Sequence, residues 1–461
     1  MLRVKRDYHY LRHRSLMIKN IFISNVLESY YENYLNISEK ERNYWFDHDY
    51  REANRAFLYG ADDKVIITSY QVNPANAEYI KTLCDQKNVI NLFPQSPTPN
   101  LCEDCMQGEL SVKLIKIIEE NPGVDVISYR ITPQFYYLLK FLREKGLNFN
   151  TPEALTEDEK FILDYAGTKR GFRHLWERAM SNKGLKIPIN IPYGFITGDK
   201  KEAIEAARWF NYQGKSFVMK INTGASGVGV LMLQNEEVPG DKDGFYKFMK
   251  DKLVEDIWNE PMIIVEEMID TDHMKFSGSP NIEMKIRPDG VIERLYACEQ
   301  VLGEDKKTFL GIYINPEVNN SEFIKNTYEA AVLFGKELNY LGYKGIYDVD
   351  LVISKNNEIY AVESNLRRTG GTHTHEFAQQ LLGADYWQKY YILSEDVHLK
   401  NKITFTDLKI KLEKYSYNAE KKEGYLLYNA DMLEVSVMSI IYIANTSENL
   451  QNLRSKVNKI I

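Results

Sequence analysis

The sequence has no hydrophobic run long enough to cross a membrane. Its longest, VSVMSIIYIA from Val435, is about ten residues, whereas a helical span needs about twenty. Cysteine is scarce, at four in 461 residues. Cys102 and Cys105 form a C-x-x-C pair with no second pair at zinc spacing, so reduced thiols are expected and not a zinc site or a disulfide framework. No repeat or low-complexity tract is present, and the net charge of −7 argues against a general nucleic-acid surface. The first nineteen residues, MLRVKRDYHYLRHRSLMIK, are basic but lack the apolar stretch of a signal peptide. A cytoplasmic protein with neither a membrane nor a nucleic-acid partner is expected. Apolar residues at 44% and charged residues at 27% suit a globular chain, and the length calls for two or three domains.

What is present is a change of pattern along the chain. Residues 17–150 alternate strand-like runs (NIFISN, KVIITSY, VDVISY) with amphipathic helices (SVKLIKIIEEN, PQFYYLLKFLREKG), which predicts a parallel α/β domain. A boundary falls near NFNTPEALTEDEK. A helix, GTKRGFRHLWERAMSNKG, then precedes a turn-rich stretch, the strand KSFVMKI and a glycine-rich turn. Residues 261–300 read as a strand-rich sheet, and a long helix at about 321–341 leads into two apolar runs, VDLVI and IYAVE, around the polar turn SKNNE. After 395 a charged stretch ends in strand, strand, helix, a small satellite subdomain. The expected divisions are 17–150, 151–395 (with a break near 265) and 396–461.

Three stretches carry chemistry. In KINTGASGVGV, Lys220 ends a strand, and Gly224, Ser226, Gly227 and Gly229 lie in the following turn. Such a loop can lay N–H groups along phosphate oxygens, with a lysine as point charge; a glycine-rich hairpin turn explains it as well. MIIVEEMID reads either as a strand with a solvated acidic tip, Glu266 and Glu267, or as a hinge whose main chain through Met268 and Ile269 pairs with an adenine. In DVDLVISKNNEIYAVESNLRRTGG, Asp350, Glu363 and Asn365 sit at matching ends of a hairpin. They offer hard oxygen ligands only, which suits magnesium. Glu363 and Asn365 are two apart and share a face, and Arg367, one step further, can reach the same phosphates.

In this order the motifs resemble the ATP-grasp superfamily. The resemblance is strongest from about 215 to 385, where SPNIEMKIRPDG, CEQVLGEDKKTFLGIYINP, GYKGIYDVDLV and ESNLRRTGGTHTHEF look like the branch with the pheganomycin-type peptide ligases. It implies α/β and α+β architecture: an N-terminal pre-ATP-grasp domain, an ATP-grasp fold and the small C-terminal subdomain. It also implies ATP and Mg2+ as cofactors and ATP-dependent joining of a carboxylate to an amine through an acyl phosphate, with ADP and phosphate as products. The substrates would be amino acids or peptides in a biosynthetic pathway. A carrier protein is an alternative partner, a nucleotide-binding regulator an alternative function, and a homodimer is left open. By the same resemblance Lys169 and Lys220 meet ATP, with Gly224, Ser226, Gly227 and Gly229 over its phosphates and Glu266, Glu267, Met268 and Ile269 at its base. Asp350, Glu363 and Asn365 hold the metal, and Arg367 serves phosphoryl transfer with Lys220. Arg170 stands beside Lys169 as a rival cation, and Asp270 and Asp272 both suit the ribose. Arg287 could pair with a substrate carboxylate, though RPDG is also an ordinary turn. Ser277, Ser279, Asn281, Arg368, Gly370, Gly371, Thr372 and His373 complete the expected substrate surroundings. His373 and His375 are candidate acceptor contacts or bases.

Overall fold

The computed structural model describes residues 17–156, 159–181, 189–224, 228–304 and 308–461. The first sheet is parallel. It comprises β1 (Asn20–Ile23), β2 (Lys64–Ile67), β3 (Val89–Leu92), β4 (Val124–Ser128) and β5 (Phe149–Asn150), in the order β3-β2-β1-β4-β5. Its central strands are nearly continuous β-branched runs because both faces are covered. Ile21, Ile23, Val65 and Val126 pack on the helices Gly108–Glu120 and Pro133–Glu144. Phe22, Ile66 and Ile127 face the other way, into a core shared with Tyr296 and Phe377 of the later chain. The helices Pro74–Leu83 and Pro133–Glu144 start where Asn73 and Thr132 accept first-turn N–H groups and proline follows. Strand order reverses between β1 and β4, and the segments leaving their carboxyl ends carry Tyr30 and Tyr129. Open α/β sheets bind ligands in such a crevice.

The second sheet is antiparallel: β6 (Gly194–Thr197), β7 (Phe217–Ile221), β8 (Val230–Leu233) and β9 (Ile263–Glu267), in the order β6-β9-β7-β8. It packs Phe217, Met219 and Val265 on Ala203, Phe210, Phe245 and Met249 of two helices. The run MIIVEE therefore belongs here, and the single sheet expected over 261–300 divides after it. The third sheet holds β10 (Pro280–Ile286), β11 (Ile292–Leu302), β12 (Phe309–Ile314), β13 (Gly345–Ile353), β14 (Ile359–Glu363), β15 (Tyr391–His398), β16 (Gly424–Asn429) and β17 (Val437–Ala444), in the order β14-β13-β10-β11-β12-β15-β17-β16. The helix Glu322–Tyr340 covers it, with Phe334 against Phe172 and Trp176 at centroid distances of 5.5 and 5.6 Å. The strands of the tail extend this sheet and do not form one of their own: β15 pairs with β12, and β17 with β15. Among the described residues no helix is long and apolar enough to cross a membrane.

One buried cluster ties the first sheet to the third. The Arg368 guanidinium donates to both oxygens of Glu153 and to the carbonyl of Ser128, and Lys285 reaches Glu153 at 3.1 Å. Burial alone would raise the Glu153 carboxyl, but Arg368 and Lys285 outweigh it and hold the pKa at about 2. Because the folded pKa lies below the unfolded value of about 4.3, the charged pair contributes stability above that value and loses it as pH falls toward 2. Glu153→Ala should cost about 3–5 kcal/mol, since it strands two cations, and should flatten the acid limb of a melting-temperature profile between pH 4 and pH 2. An unchanged profile would refute this account.

Candidate active site

The site is built on the strand ladder. In β13 and β14 Asp350 lies opposite Glu363, and a register shift beside them holds the two carboxylates together. On the other side of β13, Asn281 lies opposite Asp350 and Glu283 opposite Asp348. Asn281 Nδ2 donates to Asp350 Oδ1 at 2.7 Å and to Asp348 Oδ2 at 3.0 Å, and Gln300 Nε2 donates to Asp350 Oδ1 at 2.5 Å. The Asn365 N–H donates to Asp348 Oδ1 at 2.6 Å, and Arg367 Nη2 donates to Asn365 Oδ1 at 2.7 Å. Burial pushes the Asp350 carboxyl well above the usual range, and the charges of Asp348 and Glu363 push it further. Asp348 is raised by burial too. Carboxylates crowded this way, with an amide oxygen beside them, are a hard-oxygen set with surplus negative charge; they fit a divalent cation such as magnesium.

Two lysines arrive from the second block. Lys169 Nζ donates to Gly224 O at 2.8 Å and lies 3.3 Å from Glu363 Oε1. Arg170 instead lies over the Tyr165 ring, 5.5 Å from its centroid, so Lys169 is the cation at the carboxylates. Lys220 ion-pairs with Glu266, which also takes Arg173 Nη1 at 2.8 Å. A cavity of about 330 Å3 joins these parts, lined by Lys220, Asn281, Asp350, Glu363, Asn365 and Arg367 among others. The Arg367 guanidinium sits between the rings of Tyr30 and Tyr129, at 5.6 and 5.7 Å. The first domain thus supplies the wall facing the strand ladder.

Several expected residues stand elsewhere. Arg287 pairs with Asp289 in an exposed turn, at the end of β10 away from Asn281. Arg368 is spent on Glu153, and Thr372 donates to Glu283 at 2.9 Å, so both hold the loop and do not face the cavity. His373 is 1% exposed and packs on Tyr428 at 4.6 Å; it lies outside the cavity lining. Burial, then Arg55, push its pKa well down. His375 is buried beside Tyr386. Gly370 and Gly371 line the cavity, where a Cβ would collide with Phe309 or Tyr296. Gly224 approaches Val228 O as closely, and Gly229 has φ +71°. Ser226 and Gly227 lie outside the described residues. Glu266 is occupied by Lys220 and Arg173; Glu267 accepts the Tyr193 N–H, and the Met268 N–H donates to Ser216 O. Ile269 O accepts from Thr271. Asp270 pairs with Lys355, and Asp272 closes a turn on Met274. Ser277 donates to Glu299, and Ser279 O accepts the Gln300 N–H, both at the Asn281 end of β10.

Sequence reasoning missed Asp348, Glu283 and Gln300. The first two were readable: NIEM and YDVD place Asn281 with Glu283, and Asp348 with Asp350, on single strand faces. It also missed the helix Glu39–Glu52, which brings Trp45, His48, Asp49 and Glu52 to the far end of the cavity. His48, Asp49 and Glu52 lie within 4.8 Å of one another. His48 Nδ1 meets Asp49 Oδ1 at 3.0 Å, however, and Glu52 pairs with Arg55, so those charges are already matched.

The structure superposes on N5-carboxyaminoimidazole synthetase from Staphylococcus aureus, solved with ADP, with a TM-score of 0.54 over 96% of this chain and 98% of that one, at 10% identity. It superposes on biotin carboxylase from Campylobacter jejuni with a TM-score of 0.55 over 97% and 92%, at 12% identity. The fold is the ATP-grasp fold, preceded by an α/β domain. In sequence the chain is similar to an L-propargylglycine–L-glutamate ligase of Streptantibioticus cattleyicolor, 24% identical over 349 residues that make up 69% of this chain and 66% of that protein. No protein-family model matches the chain.

Asp350→Asn removes one of several repelling carboxylates and keeps an acceptor for Asn281. In chelator-treated buffer it should raise the melting temperature by about 2 °C, while abolishing any further rise that millimolar magnesium gives the wild type. A variant less stable than wild type without metal would show that the carboxylates do not repel as stated.

Proposed function

We propose that the protein is an ATP-dependent ligase that activates a carboxylate as an acyl phosphate and joins it to an amine, forming a peptide-like amide in a biosynthetic pathway. The observation that carries the reading is the meeting of Asp350, Glu363 and Asn365 with Lys220 and Arg367 around one cavity between the strand ladder and the first domain, with Lys169 at 3.3 Å from Glu363. The similarity to a ligase of two amino acids supports it. A carboxylate does not acylate an amine at neutral pH unaided, so cleavage of ATP would supply the activation. Asp350, Glu363 and Asn365 would hold magnesium, which would bind and polarise the terminal phosphates.

The chain's own groups would then position and neutralise. Lys169 and Lys220 would meet phosphate oxygens, Lys220 turning from Glu266 toward the nucleotide. Arg367, gripped by Asn365 and two tyrosine rings, would face the phosphoryl group as its charge shifts between oxygens. The loop from Gly370 brings its backbone against Phe309 and Tyr296 in the same wall.

With ATP, magnesium, a productive acid and hydroxylamine, the protein should form a hydroxamate and release one ADP and one phosphate per product. Arg367→Ala should suppress this partial reaction, and Glu363→Gln should slow it at least ~10²-fold, as loss of one preorganised electrostatic group does. AMP and pyrophosphate as products, or a Glu363→Gln variant with wild-type rates at saturating magnesium, would overturn the proposal.

A further inference from the structure

The cavity continues beyond Arg367. Its far end is made by the helix Glu39–Glu52 of the first domain and by β15 and β16 of the third sheet. Tyr129 separates the ends, with the Arg367 guanidinium 5.7 Å from its ring centroid and that of Arg55 also at 5.7 Å. Three carboxylates, Asp49, Glu52 and Asp396, line this end, with His48, Arg55 and His398 as its basic side chains. His48 is paired with Asp49, and Arg55 with Glu52. Burial alone would lower the His48 pKa, but the hydrogen bond to Asp49 and the charges of Glu52, Asp49 and Asp396 raise it to about 9.

Asp396 is left over. Its Oδ1 accepts from Ser439 Oγ at 2.6 Å and from Tyr428 OH at 3.3 Å, and no basic side chain among the described residues is within ion-pair distance of it. Burial raises this carboxyl above the usual range, and a cationic group of a bound molecule placed beside it would stabilise its charged form. The rings of Trp45, Tyr44 and Tyr428 line the same space. Aromatic faces favour a diffuse organic cation, whereas a magnesium or calcium ion would need several oxygens, and those of Asp49 and Glu52 are already matched.

Resting on the ligase reading, we propose that this end of the cavity is a substrate subsite for an ammonium or guanidinium group remote from the reacting atoms. Asp396 is the counter-ion, and Trp45 and Tyr44 form the wall. One of the two joined substrates is therefore a basic amino acid or a short peptide bearing a basic side chain.

Two measurements on the full-length protein test it. Calorimetric titration of the nucleotide-free protein with lysine, ornithine and arginine, against norleucine, norvaline and citrulline, should show at least one basic amino acid binding ~10-fold or more tighter than its neutral match, as one charge-assisted contact gives. ADP release across pairs of these amino acids and their dipeptides should show the same preference in KM, with kcat little changed. Asp396→Asn, checked for folding by its melting curve, should raise KM for the basic substrate by a similar factor and leave the neutral analogue unaffected. Trp45→Leu, which leaves every carboxylate in place, should weaken the basic substrate ~3-fold or more. Turnover that ignores the basic group, or an Asp396→Asn loss equal for basic and neutral substrates, would overturn the subsite and leave the ligase reading intact. Selective binding of a basic amino acid with no ADP from any pair would keep the subsite and refute the ligase.

Discussion

Everything at the centre of this protein depends on carboxylates that repel one another and are nonetheless held together. Glu283, Asp348, Asp350 and Glu363 occupy facing positions on three adjacent strands, and the backbone ladder prevents them from separating. Glu283, fully buried, is pushed up to about 7 by burial despite hydrogen bonds from Thr369 and Thr372. A sheet is the element that can do this. Its side chains alternate at a fixed spacing, and its hydrogen bonds are independent of what those side chains carry. The amides of Asn281, Gln300 and Asn365 then satisfy oxygen atoms without adding charge, so the deficit of positive charge is preserved for a ligand.

The same loop that completes this centre locks the domains. Arg367 and Arg368 are consecutive and point to different places. The first faces the cavity between Tyr30 and Tyr129, and the second is buried on Glu153 and the Ser128 carbonyl. The first domain is thereby fixed against this loop by a buried ionic contact, and its tyrosines are fixed against the arginine that faces the cavity. A shift of one contact would move the other, because a single peptide unit separates them.

How much of this was legible depended on the range of the information. The parallel first domain was readable, because alternation of β-branched runs with amphipathic helices is local. The Asp350–Glu363 hairpin was readable because turn, strands and the facing acids fall within sixteen residues. Lys169 could not be chosen over Arg170 from sequence, since the decision lies in helix phase: Lys169 faces Glu363 and its neighbour faces Tyr165. Glu266 was taken for a nucleotide contact because a strand ending in acids looks alike whether it faces solvent or, as here, two cations. Arg287, Arg368, Thr372 and His373 lie outside the cavity lining for the converse reason. Nearness in sequence to the motif was read as nearness to the cavity, whereas strand length and helix rotation carry them away from it.

The far end of the cavity was illegible for a further reason. Its helix, its strands and its single unmatched carboxylate come from positions near 50 and near 396, and none belongs to a motif. A histidine and two acids on a helix read as a solvated face, and Asp396 as one more acid in a charged stretch. Only the extension of the third sheet by the tail strands puts β15 beside the first domain and makes an isolated negative charge of them. Asp350 and Glu363 sit on neighbouring strands of one short hairpin, whose register alone brings them opposite each other. The far end of the cavity is assembled from segments distant in sequence, Glu39–Glu52 and Tyr391–His398, so no local pattern announces it.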